Sequence, residues 1–171
     1  MNRLGFALLL VAAIGVTVAA SPAKAGHRLG GGLHYLRNLA DIEDDPSIEW
    51  DKNSFGFIGS YQYDGGLLKV EGDVEYVFDY AGSGEAMWTP SAWLLAGKLI
   101  YGGAGIGIGH IDGDWQSDPF YALRAGVDIP LSTFSLDIFG TYQFQSDQDL
   151  EDLTGEDLDS ATFAAILRFA L

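Results

Sequence analysis

The feature that most constrains this chain is a period of two. Leu68, Val70, Gly72, Val74, Tyr76, Phe78 and Tyr80 share one parity, with Lys69, Glu71, Asp73, Glu75 and Asp79 between them. Phe134, Leu136, Ile138, Gly140, Tyr142 and Phe144 alternate in the same way with Ser135, Asp137, Thr141 and Gln143. Successive side chains of a strand point to opposite faces, so the pattern specifies strands with two chemically different sides. No stretch of useful length carries the 3.6-residue apolar stripe of an amphipathic helix, which leaves an all-β fold.

Eight segments are predicted as strands, at about 27–38, 53–63, 67–80, 91–101, 104–112, 119–129, 133–145 and 160–171. Asp64-Gly65-Gly66, Gly102-Gly103 and Pro130-Leu131-Ser132 supply the residues of tight hairpin turns. The other connections, near 39–52, 81–90, 113–118 and 146–159, are longer and acidic. Short and long links in alternation, with an even strand number, describe an up-and-down antiparallel meander with every tight turn at one end.

Residues 1–25 read as a cleaved signal peptide, which makes 26–171 the mature domain. Asn2-Arg3 is a short basic start, Leu4 to Ala20 an uncharged apolar run, and Ala23-Lys24-Ala25 a small-x-small cleavage site. No later segment approaches the ~20 apolar residues of a membrane helix. The chain lacks cysteine, which excludes disulfides, thiolate zinc sites and cysteine nucleophiles. Nine basic against 24 acidic residues give a net charge of -15, which argues against nucleic-acid partners.

A soluble barrel and a membrane barrel share the period of two but turn it inside out. Sixteen aromatics fall on the parity assigned outward: Tyr35, Phe55, Phe57, Tyr61, Tyr63, Tyr76, Phe78, Tyr80, Trp93, Tyr101, Tyr121, Phe134, Tyr142, Phe144, Phe163 and Phe169. Phe120 and Phe139 fall on the other, and Trp50, Trp88 and Trp115 in loops. The inward parity carries small residues such as Gly30, Gly56, Ala92, Ala96, Gly105 and Gly107, with Arg28, Asp79 and Asp128 among its charges. Sixteen rings would overfill the lumen that eight strands leave. Turned outward they meet lipid, with aliphatics such as Leu136 and Ile138 between interfacial rings. The expectation is an eight-stranded antiparallel up-and-down transmembrane β-barrel, rather than a soluble calycin-like one.

On these residues the chain resembles the small outer-membrane barrels of Gram-negative bacteria, of the OmpA-transmembrane, OmpX and opacity-protein type. Tyr101-Gly-Gly-Ala-Gly-Ile-Gly-Ile-Gly109 is similar to the glycine-rich fifth strand of opacity-type proteins, and Leu123-Arg-Ala-Gly-Val-Asp-Ile-Pro-Leu131 follows it. The last strand, with Phe163, Leu167, Phe169 and Leu171, resembles the alternating signal read by the outer-membrane assembly machinery, although Leu171 stands where the family usually has an aromatic. The resemblance implies an outer-membrane location, contact with lipid and lipopolysaccharide, and periplasmic termini.

Lys69, Glu71, Asp73, Glu75, Lys98, Arg124, Asp137 and Arg168 are expected to form an internal charge network, because unpaired charges in a narrow lumen cost several kcal/mol each. Two readings stay open: a plug, or a narrow ion or small-solute channel gated by rearranging pairs. A lipid A deacylase needs an outward His with Ser two residues away; His110 is followed at that spacing by Asp112, and His27 and His34 have no such Ser. No catalytic residue, cofactor or metal ligand is assigned, and the chain reads as non-enzymatic. Seventeen of the acids lie in the loops, from Asp41 to Asp51, at Glu85, from Asp112 to Asp118 and from Asp147 to Asp159. They form a solvated surface that could share divalent cations with lipopolysaccharide phosphates. The stretch from Asp147 falls short of a calcium loop, with Asp152 and Leu158 at its sixth and twelfth positions.

Overall fold

A computed structural model of the protein describes residues 26–38, 53–80, 84–116, 119–144 and 160–171. The strands are β1 (Gly26–Asn38), β2 (Asn53–Asp64), β3 (Leu68–Val77), β4 (Met87–Gly97), β5 (Ile100–Gly107), β6 (His110–Ile111), β7 (Asp114–Trp115), β8 (Phe120–Leu131), β9 (Phe134–Phe144) and β10 (Ser160–Ala170). Eight are long. Each long strand pairs antiparallel with its neighbours along the chain, and β10 returns to β1 from Arg28↔Ala170 to Asn38↔Ser160. The sheet is therefore closed, and no long strand leaves an unpaired edge. The predicted leader, 1–25, and the loops at 39–52 and 145–159, with Trp50 and the calcium-like stretch, lie outside the described residues.

Burial follows the period of two. Along β2 exposed and buried residues alternate without a break, and β3 does nearly the same. Tight turns join β2 to β3, β4 to β5 and β8 to β9 at one end of the barrel, together with both strand termini of the β1–β10 seam.

The β4–β5 hairpin departs from the sequence expectation. Its turn is Lys98-Leu99 rather than Gly102-Gly103. Gly97 has φ +125, and a Cβ there would stand 2.2 Å from the Ile100 carbonyl oxygen, so glycine is what permits the chain to reverse there. Moving the turn inverts the expected faces of β4. Trp93 and Leu95 point inward, while Ala92 and Ala96 point outward. Tyr101 is likewise buried in the lumen instead of facing lipid.

Glycines make room for these rings. A Cβ at Gly105 would fall 2.4 Å from the Trp93 ring, and one at Gly107 would fall 2.3 Å from Phe120. The glycine-rich strand is thus the negative of an aromatic one, the large-against-small alternation that fills a narrow barrel.

Further corrections lie near the long connections. Pro90 has no N–H to give β5, so β5 stops at Gly107 and pairing with β4 resumes at Trp88↔His110 in β6. The Pro90 carbonyl still accepts from Ile108 N at 3.1 Å. β6 and β7 form a small hairpin that lengthens the wall beyond β5. Trp88 and Trp115 are therefore strand residues, both exposed. Tyr80 follows the end of β3 and packs on a buried cluster of Leu36, Val77 and Met87, and Asp79 is exposed.

Candidate functional site

The lumen concentrates the polar chemistry of the described residues. At the tight-turn end, Arg28 spans Asp64 and Asp128, at 2.7 Å each, and Lys69 Nζ lies 2.8 Å from the same Asp128 carboxylate. Lys69 also donates to the Lys98 carbonyl at 3.3 Å and sits over the Tyr101 ring at 5.0 Å.

The next tier is built on Arg168 of β10. Its Nε and Nη2 donate to Asp137 Oδ2 at 3.0 and 2.9 Å, Nη2 also to Glu71 Oε1 at 2.8 Å, and Nη1 to Ser60 Oγ at 2.5 Å. Tyr101 donates its hydroxyl to Asp137 Oδ1 at 2.8 Å, and Gln62 Nε2 donates to Glu71 Oε2 at 2.6 Å. Residues from β2, β3, β5, β9 and β10 meet here, so this tier crosses the lumen from wall to wall.

Arg124 forms the third tier. Nη1 donates to Glu71 Oε1 at 2.8 Å, and Nη2 approaches Asp73 Oδ2 at 2.8 Å, an ionic contact too bent to be a hydrogen bond. Its guanidinium is sandwiched between Trp93, at 3.8 Å, and Phe139, at 4.0 Å. Planar, weakly hydrated arginine suits a site that needs both faces stacked and both edges bonded.

Beyond it, toward the long connections, His34 and Glu75 face each other, with Nε2 and Oε2 3.3 Å apart. Thr89 and Thr162 are buried there as well. The register puts Thr89 opposite Glu75 and Thr162 one inward position beyond His34's neighbour Ala164. Leu36, Val77 and Met87, with Tyr80 and Ile111 against them, form an apolar layer above.

Seven residues of the predicted network, Lys69, Glu71, Asp73, Glu75, Arg124, Asp137 and Arg168, thus point into the lumen. Six of them are joined by contacts that include Arg28, Asp64 and Asp128 at the tight-turn end, while Glu75 instead faces His34. Lys98 lies half-buried in the β4–β5 turn rather than on a strand, and its carbonyl accepts from Lys69. Arg28 and Asp128 lie outside the expected network although both are inward by parity, the signal that could have found them. Trp93 and Tyr101 were missed because their faces depend on the position of one turn. His34 shares the parity of the inward glycines Gly30 and Gly32, a signal that could have placed it in the lumen, where the structure buries it.

The outer wall is the converse. Leu29, Leu33, Phe57, Val70, Val74, Leu94, Ile138, Leu167 and many others are exposed around the circumference. Aromatic rings gather toward the strand ends. Tyr61 and Tyr63 stand with His27 at the tight-turn end, and Tyr35 with Phe55, Phe57 with Phe78, and Tyr76 with Trp88 at the other. A continuous apolar girdle far exceeds the few-hundred-Å² patches that water-soluble monomers expose. Phe163, Leu167 and Phe169 lie on the outward face of β10, and Leu171 follows it, 78% exposed. His110 stacks edge-on against Trp115, with ring centroids 4.8 Å apart.

Among solved structures, a designed protein described as a de novo transmembrane β-barrel matches 88% of this chain and all of its own, with a TM-score of 0.50 and 10% identity. The fold is an eight-stranded transmembrane β-barrel. The barrel is also similar to neisserial surface protein A, with a TM-score of 0.60 and 13% identity over 87% of this chain and 100% of that one. Outer membrane protein OprG from Pseudomonas aeruginosa gives a TM-score of 0.52 and 14% identity, over 86% of this chain and 94% of that one. At such identities the likeness is one of fold. No family model and no curated protein matches the sequence.

Proposed function

We propose that the barrel is a non-enzymatic outer-membrane protein of a Gram-negative bacterium, with a structural or surface-interaction role carried by its acidic loops. In this reading it is secreted with the leader at 1–25, recognised by the assembly machinery through Phe163, Leu167, Phe169 and Leu171, and seated in lipid and lipopolysaccharide with its tight turns in the periplasm. The loop carboxylates meet divalent cations or basic partners.

The observation that carries the reading is the filled lumen. Three tiers of ion pairs and an apolar layer occupy the lumen, so the reading assigns surface interaction to the acidic loops rather than to a path through the barrel. The outer wall suits a bilayer in height. Phe134 and Tyr142 on β9 are eight residues apart. At about 3.4 Å per residue and a tilt near 40°, they mark an apolar band about 21 Å tall, close to the ~25 Å of outer-membrane barrels.

Planar-bilayer recording of the refolded protein tests it, with no discrete openings as the expected result. Openings that change with Lys69→Ala, Glu71→Ala, Lys98→Ala or Arg124→Ala would replace it with a narrow channel lined by those residues. Mass spectrometry of lipid A from cells with and without the protein tests the enzyme class, and an acyl-chain difference would overturn the non-enzymatic reading.

A further inference from the structure

The register of the outer wall puts five rings in one line. Phe57 on β2 pairs with Tyr76 on β3, Tyr76 with Trp88 on β4, Trp88 with His110 on β6, and His110 with Trp115 on β7. Tyr76 meets Trp88 with ring centroids 4.6 Å apart, and His110 braces Trp115 edge-on. Phe57, Trp88 and Trp115 are 54%, 49% and 59% exposed. The line climbs as it goes. Traced once around the closed sheet in the direction β1 to β2, the pairing that starts at Gly26 returns to β1 at Leu36, ten residues nearer the long connections. At about 4.8 Å between strands and a tilt near 40°, four such steps raise Trp115 about 12 Å above Phe57. Phe57 packs on Phe78 inside the aromatic girdle, and the interfacial zone of a bilayer is only about 5–8 Å deep on each side. The row therefore starts against acyl chains and ends beyond the lipid phosphates.

We propose that this row is a docking shelf for the sugar headgroup of an outer-leaflet glycolipid, with Trp88 and Trp115 stacking on its rings. The proposal rests on the outer-membrane reading above, in which the long connections face outward. Continuity identifies the occupant. Lipid already covers the lower end of the row, so what lies on the upper end is a lipid whose headgroup rises that far. Hydrocarbon does not, and a bare phosphate would meet like charge. Asp112 and Asp114, both exposed, stand at the tip of the β6–β7 hairpin, and neither the row nor that hairpin carries a lysine or arginine. A sugar suits both features. The C–H face of its ring lies on an indole, and its hydroxyls donate to carboxylates.

The test places the refolded chain in nanodiscs of three kinds: phospholipid alone, phospholipid with lipid A, and phospholipid with lipopolysaccharide bearing its core sugars. Acrylamide quenching is read for the wild type and for Trp115→Phe, and the difference isolates Trp115. Quenching of Trp115 should be at least about twofold weaker with core sugars than in the other two discs. Trp88→Ala should abolish that shielding, while Phe144→Ala, a girdle ring off the row, should leave it unchanged. The heat-shifted gel band reports barrel closure in each disc. A closed barrel without shielding therefore overturns the shelf and leaves the outer-membrane reading standing, whereas a chain that closes in no disc overturns both. Equal quenching in all three discs, shielding by lipid A or phospholipid alone, or shielding that survives Trp88→Ala would each overturn the proposal.

Discussion

Arg124→Met is the sharpest test of how the lumen is held. Arg124 touches Glu71 and Asp73 at 2.8 Å each and lies between the Trp93 and Phe139 rings. Glu71 retains Arg168 at 2.8 Å when Arg124 is lost, whereas Asp73 is left with no cation in contact among the described residues. Removing one member of a buried pair costs about 3–5 kcal/mol, mostly through the stranded charge. Loss of the desolvated ring stacking adds up to about 2 kcal/mol, partly offset because methionine still packs on aromatics. A destabilisation of about 4 kcal/mol is therefore expected. It is measured by urea unfolding in lipid vesicles, followed by tryptophan fluorescence and gel mobility. The double variant Arg124→Met with Asp73→Asn removes the stranded charge and should recover about 2 kcal/mol. A single variant within about 1 kcal/mol of wild type, or a double variant no better than the single, would refute the idea that paired charge governs the lumen.

Other perturbations probe separate features. Tyr101→Phe deletes the hydrogen bond to Asp137 and should cost about 1.5–3 kcal/mol in the same titration. Gly97→Ala forces a side chain onto φ +125 against the Ile100 carbonyl, and should cost at least about 1–3 kcal/mol or shift the hairpin, seen as slower refolding. Ile138→Lys places a charge midway between Phe134 and Tyr142 on the outer wall. It should destabilise the barrel by about 2–4 kcal/mol in a bilayer, and a neutral effect would argue that this face does not meet lipid.

The alternation along β2, β3 and β9 was legible because each of those strands is apolar on one side only. β4 and β5 were harder to read for a physical reason. Trp93, Leu94, Leu95 and Ala96 are apolar on both parities, so the period of two loses its contrast there. Gly102-Gly103 then looks like a turn, although these glycines are strand residues, with Gly103 making room for Leu95. The charged lumen residues could be chosen by parity, because arginine and aspartate have nowhere else to go in a strand that faces lipid. Which of them meet could not. Arg168 reaches Glu71 across 97 positions of sequence, and only the closed register brings the two together.

That reach has a consequence for how the protein is made. Arg168 belongs to the last strand, and its partners Glu71 and Ser60 belong to the third and second. Pairing of the first and last strands, at Gly30↔Arg168, brings this guanidinium to them. Until then, the Glu71 carboxylate and the Ser60 hydroxyl are hydrated on an open sheet, and the inner face is wet. Closure of the seam and drying of the interior are one event, and each half-made barrel carries its own reason to finish.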